Sequence, residues 1–166
     1  VYGYYNAGKS TLLNALMGQA KAGMADRPLT AKVGEYEWNG YTLLDTPGID
    51  APIEHEGIAN SELDTCDVVL FVLASSGAVE ETATWDAIAR IIDRGRGLIL
   101  IVNNKTGLDV TSNDYVSLTE KLRTRLQVVT EDDSIVHKVP IRLVDARTAL
   151  KGRVEKKLAL VEHSGV

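Results

Sequence analysis

The chain has 166 residues, 45% of them hydrophobic and 25% charged, at a net charge of −5, the profile of one globular domain long enough to bury a core. An acidic balance with no basic run argues against a direct nucleic-acid surface, and the single cysteine, Cys66, excludes an internal disulfide and a cysteine-rich metal site. No apolar stretch approaches the ~18 residues of a membrane span, and no signal peptide is visible.

Residues 3–10 read Gly3-Tyr4-Tyr5-Asn6-Ala7-Gly8-Lys9-Ser10, an unbroken match to the phosphate-loop pattern G-x-x-x-x-G-K-[ST]. Only Val1 and Tyr2 precede it, whereas such a loop should follow a buried strand. The expectation is therefore a first strand cut short and a protein that begins upstream. Leu12, Leu13, Leu16 and Met17 recur at helical spacing over 10–17, and Gly18 is a plausible stop. Residues 19–31 read as a loop. Two extended runs, 32–38 and Tyr41–Asp45, flank Asn39-Gly40, a strong hairpin signal. A second loop covers 46–60. The apolar runs Val68–Ala74 and 98–102 fit strands buried on both faces of a parallel sheet. Between them, 80–94 puts Trp85, Ile88, Ile91 and Ile92 on one helical face. A further amphipathic helix is expected over 115–129, a last strand over 139–144 and a last helix over 149–161. This alternation predicts an α/β fold: a mostly parallel, doubly wound sheet with one antiparallel strand.

The phosphate loop carries its chemistry in its residue types. Glycines let successive backbone N–H groups face phosphate oxygens, and the following helix adds its positive end. Gly3, Asn6, Ala7, Gly8, Lys9, Ser10 and Thr11 are the candidate nucleotide contacts. Lys9 can reach the β- and γ-phosphates, and the Ser10 hydroxyl can ligate Mg²⁺. Asp45-Thr46-Pro47-Gly48 closes a strand, where a carboxylate can hold that Mg²⁺ and the Gly48 amide can approach the γ-phosphate. The same tetrapeptide is also an ordinary turn sequence. Thr30, in the loop between, can offer a hydroxyl to Mg²⁺ and an amide to the γ-phosphate. His55 either helps position water or is a solvated loop residue.

Asn103-Asn104-Lys105-Thr106-Gly107 closes the run 98–102. With the phosphate loop, Thr30, Asp45-Thr46-Pro47-Gly48, Asn104-Lys105 and Asp145-Ala146 in this order, nearly the whole chain resembles the G domain of the translation-factor-class (TRAFAC) P-loop GTPases. The resemblance is to the Era/MnmE/EngA type and to bacterial dynamin-like proteins such as LeoA. It implies a Ras-like fold that binds GTP or GDP with Mg²⁺, held by Ser10, Thr30 and Asp45. It also implies slow hydrolysis to GDP and phosphate, with Lys9, Asn6, Thr30 and Gly48 as the catalytic set. Asn104 would bond the base and brace the phosphate loop, the Lys105 stem would lie along the base, and the Ala146 amide would meet guanine O6.

Two departures stand out. The family pattern asks for an aspartate at position 107, where this chain has Gly107; either Asp109 reaches back or the carboxylate is absent and base selectivity is weak. Ile49 stands where many G domains place a water-orienting glutamine. The resemblance offers Asn6 as a K⁺ ligand, and a homodimer across the nucleotide face, to complete catalysis; otherwise Asn6 only braces its own loop. The alternative is a nucleotide-dependent assembly or membrane-associated dynamin-like module with relaxed base specificity. The expected setting is cytoplasmic, or peripheral at the inner membrane through regions outside these residues.

Overall fold

A computed structural model describes residues 1–22, 33–49, 61, 63–75 and 80–166. Four parallel strands form the centre: β1 (Tyr2–Gly3), β4 (Val68–Ala74), β5 (Gly97–Asn103) and β6 (Ile141–Val144), adjacent in that order. A hairpin of β2 (Gly34–Trp38) and β3 (Tyr41–Asp45) pairs antiparallel from Gly34↔Asp45 to Trp38↔Tyr41. Its Asn39 and Gly40 both take positive φ, as the Asn-Gly signal requires. Val1 donates to Leu44 O and accepts from Thr46 N, so β3 lies beside β1 as in a one-residue parallel pairing. The strands therefore run β2-β3-β1-β4-β5-β6, mostly parallel with β2 antiparallel at the edge.

Both faces of the centre are apolar because β4 and β5 have side chains to bury on each. Val69, Phe71, Leu73, Leu98, Leu100 and Val102 join one cluster with Trp85, Ile88 and Ile91 of α2 (Thr82–Asp93) and Leu122 and Leu126 of α3 (Asn113–Thr130). The alternate residues Val72 and Ile101 join a second cluster with Leu12 of α1 (Lys9–Met17) and Ala146 of α5 (Ala146–Val154). Period-two alternation sends neighbours to opposite faces, and the continuous apolar runs follow from it. Tyr2 meets Phe71 edge-on at 5.8 Å between ring centres, fastening β1 to β4.

The helices differ from expectation at the C-terminal end. A short helix, α4 (Asp133–Lys138), precedes β6. Asp132 caps it by accepting from Ser134 N at 2.8 Å, and Arg123 of α3 donates to the Val136 and Val139 carbonyls at its far end. The expected last helix is two: α5 and α6 (Leu158–Ser164). Its start moves forward to Ala146 because Asp145 accepts from Thr148 N at 2.9 Å as an N-cap. Its break falls at 155–157, where Lys156 takes a left-handed φ of 56° and the chain turns back. Gly152 lets the two helices touch: an added Cβ would lie 2.8 Å from the Leu160 Cβ. Among the described residues no helix is long and apolar enough to cross a membrane.

Candidate functional site

The C-terminal ends of the parallel strands gather the chemistry on one edge. The loop after β1 turns tightly and delivers Lys9 as the first residue of α1. Gly3 and Gly8 have φ of 138° and 105°, backbone that side chains rarely adopt. A Cβ on Gly3 would lie 2.3 Å from the Val72 carbonyl oxygen, and one on Gly8 2.1 Å from Asn103 Nδ2. Both glycines of the motif are therefore required by close approach as well as by φ. Asn6 also takes a left-handed φ of 57°, a conformation asparagine tolerates better than most.

Lys9 is buried, and its ammonium donates to the Gly3 and Tyr4 carbonyls at 3.1 and 2.8 Å. Ser10 Oγ donates to Asp45 Oδ2 at 2.9 Å. Asp45 ends β3 with 2% of its surface exposed. Burial pushes its carboxyl above the usual carboxylate range, with the Ser10 hydroxyl and the Lys9 ammonium pulling it back. A hydroxyl and a carboxylate side by side are hard oxygen donors of the kind Mg²⁺ takes. Among the described residues no group of three or more His, Cys, Asp or Glu could hold a metal ion. The pair thus suits a cation that keeps waters and phosphate oxygens as its other ligands.

Asn103, at the end of β5, closes the site from the other side. Its Nδ2 donates to the Ala7 carbonyl at 2.8 Å, and its Oδ1 accepts from the Ala146 amide at 3.3 Å. One buried amide thus joins the phosphate loop to the start of α5. The brace to the phosphate loop expected of Asn104 is made by Asn103 in this structure, and the Asn104 amide is engaged elsewhere. Asn104 donates to Leu108 O at 2.7 Å and accepts from Leu108 N at 2.8 Å, closing the loop 104–108 on itself. The strand pleat would have told them apart: Asn103 falls on the face of Ile101, toward Ala7 and Ala146, and Asn104 does not. Lys105, expected to lay its stem along a base, donates to the Asn6 carbonyl of the phosphate loop in this structure. Its own amide is held by Ser75 Oγ at 3.1 Å.

Other candidates stand apart. Asp109 is fully exposed and its Oδ1 accepts from Thr111 N and Thr111 Oγ1, each at 2.8 Å. Those two bonds, from the backbone and the hydroxyl of Thr111, hold its carboxyl below the usual range. Ala146, expected to offer its amide to a base, gives it to Asn103 in this structure. Thr11 lies in the first turn of α1, and Gly48 between β3 and Ile49. Ile49 packs against the larger core cluster and its amide donates to Gly3 O at 3.2 Å, so its side chain serves as an apolar anchor. Thr30 and His55 lie outside the described residues. Sequence reasoning missed Asn14: buried in α1, its amide donates to Ala22 O and accepts from Lys21 N and Ala22 N, fixing the chain that leaves the helix.

Both the sequence and the fold have matches among known proteins. The model of the family described as 50S ribosome-binding GTPase matches residues 1–105. GTPase Der of Saccharophagus degradans is 32% identical over 143 residues, covering 78% of this chain and 30% of that protein. The chain spans about a third of the length of the curated relatives it matches. Among solved structures, a probable GTP-binding protein engB superposes with a TM-score of 0.61 at 22% identity, over 98% of this chain and 97% of its own. A chain of an oligomerised bacterial dynamin pair reaches 0.70 at 19% identity, over 99% of this chain and 35% of its own. At these identities the structural likeness is one of fold.

Proposed function

This chain belongs to the 50S ribosome-binding GTPase family, and from that premise we propose that its 166 residues act as one G domain. It binds Mg·GTP at the phosphate loop and hydrolyses it slowly to GDP and phosphate. The observation that carries the reading is Ser10 donating to Asp45 at 2.9 Å, beside Lys9 on the preceding position of α1. Nothing in the packing of a structural turn calls for a buried carboxylate, a hydroxyl and a buried ammonium to meet there.

In this reading the Lys9 ammonium leaves the Gly3 and Tyr4 carbonyls for the β- and γ-phosphate oxygens and stabilises charge that grows during phosphoryl transfer. Ser10 and Asp45, with Thr30, hold Mg²⁺, which when bound neutralises phosphate charge. The Gly48 amide meets the γ-phosphate, and the segments carrying Thr30 and Gly48 act as switches. Ile49 cannot orient water, so turnover is slow unless Asn6, K⁺ or a homodimer across the nucleotide face supplies what is missing. The domain works in the cytoplasm on GTP and GDP. Calorimetric titration with GTP in Mg²⁺ tests binding, and single-turnover hydrolysis in KCl against NaCl, at two protein concentrations, tests completion. Equal binding of GTP and ATP would sink the guanine assignment; equal rates in both salts at both concentrations would sink the K⁺ and dimer routes.

A second reading concerns base selectivity. Asp109 Oδ1 is turned to Thr111, the Asn104 amide to Leu108, and position 107 is glycine. The relaxed form of recognition then follows, in which guanine's 2-amino group gains no carboxylate partner and about 1.5–3 kcal/mol of discrimination is lost. ITP, which lacks that amino group, then binds as tightly as GTP. A strong preference for GTP over ITP would instead put a carboxylate on the base.

A further inference from the structure

The composition argues against a basic surface, yet the fold makes one. Five of the chain's 18 lysines and arginines fall between 147 and 157: Arg147, Lys151, Arg153, Lys156 and Lys157, against the single acid Glu155. Arg147 lies at the site end of α5, and the other four gather toward the α5–α6 turn. Glu155 is neutralised in place by Lys157 at 2.6 Å, and among the described residues neither Lys151 nor Lys156 forms an ion pair. Two apolar side chains stand exposed among these charges, Val154 at 57% and Leu158 at 75%. Leu158 is more exposed than any other large hydrophobic residue described. Lys156 holds a left-handed φ where glycine would fit without strain.

We propose that this helical tip, built on Lys151, Val154, Lys156, Lys157 and Leu158, docks on an anionic lipid surface. Positive charge drawn to one place on a chain of net charge −5 is complementary to a polyanion. Exposed aliphatic side chains ringed by lysines suit the boundary between headgroups and acyl chains. A single-stranded nucleic acid would want aromatic platforms for its bases, and residues 146–166 contain no Phe, Tyr or Trp. The tip also lies away from the nucleotide. α1 and α5 both start at the site, at Lys9 and Ala146, and Arg153 near the end of α5 packs beside Gly18 at the end of α1. Nine helical residues set the tip roughly 13 Å from the phosphate loop, so a docked surface leaves the nucleotide mouth open.

The test is co-sedimentation of the intact protein with phosphatidylcholine vesicles, with and without phosphatidylserine, alongside a single-stranded RNA of mixed sequence. Binding is expected only with phosphatidylserine and to weaken as salt rises. Lys151→Gln and Lys156→Gln should each weaken it about fivefold, and Leu158→Ser should weaken it at every salt concentration. GTP affinity stays unchanged in all three variants and reports that each is folded. Equal binding to both vesicle types, binding indifferent to the three substitutions, no sedimentation at all, or retention on RNA in place of vesicles would each overturn the proposal.

Discussion

Asn103 and Asn104 show how much one position matters. The first satisfies two buried backbone groups on different elements; the second satisfies two half-buried ones within its own loop. Asn103→Ala leaves Ala7 O and Ala146 N unsatisfied and should cost about 1–3 kcal/mol in urea unfolding, together with nucleotide affinity. Asn104→Ala should cost less than about 1 kcal/mol, because water reaches Leu108. Reversed magnitudes would mean that Asn104 braces the phosphate loop after all. The sequence made the Asn-Lys pair legible, but adjacency of letters selects Asn104, while the pleat of β5 selects Asn103. Asp45 carries a second residue-scale consequence. Its carboxyl is raised in the fold, so folding favours the protonated form: without nucleotide and Mg²⁺, the contribution of this group to stability is fully present at low pH and is lost as pH rises through the raised value. Asp45→Asn should abolish that loss and raise the nucleotide-free melting temperature at neutral pH, while removing the Mg²⁺ dependence of GTP binding. A flat difference between the two proteins across pH would show that burial of this carboxylate is fully compensated.

At the scale of elements, patterns that repeat were legible and those that depend on one contact were not. The apolar runs of β4 and β5 and the helical face of Trp85, Ile88 and Ile91 announce themselves because burial imposes a period. α4 has six residues, too few to show a period, and rests on a cap at Asp132 and on Arg123 reaching its carbonyls. The division of the last helix turns on Gly152, whose missing side chain admits Leu160 and Val161. Gly152→Leu should force α5 and α6 apart and destabilise by about 1–3 kcal/mol. Gly40→Ala meets nothing within 4 Å and changes only the strain of its turn. Comparing their urea midpoints checks this, and equal effects would show that the α5–α6 contact contributes no more than a hairpin tip.

For the molecule as a whole, the site spans one edge of the sheet and draws on β1, β3, β5, α1 and α5, so a ligand there ties together elements distant in sequence. Mg·GTP at a hundred times its Kd should add about 2.7 kcal/mol, which raises Tm by roughly 5–11 °C for a chain of this size. Lys9→Ala should erase that rise. A rise that survived would place the nucleotide somewhere other than the phosphate loop. The order of motifs along the chain was enough to foresee this edge, since the phosphate loop, Asp45-Thr46-Pro47-Gly48, Asn103-Asn104-Lys105 and Asp145-Ala146 each close or follow a strand. The internal wiring was not, because it runs through backbone oxygens that no residue letter reports. Gly3 O is the clearest of these: it receives both the Lys9 ammonium, at 3.1 Å, and the Ile49 amide, at 3.2 Å. Two donors that share one oxygen compete for its electron density. In the proposed reading, an anion that drew the ammonium away would leave this oxygen to the Ile49 amide alone. A single carbonyl would thereby couple the cradle to the chain just past Gly48.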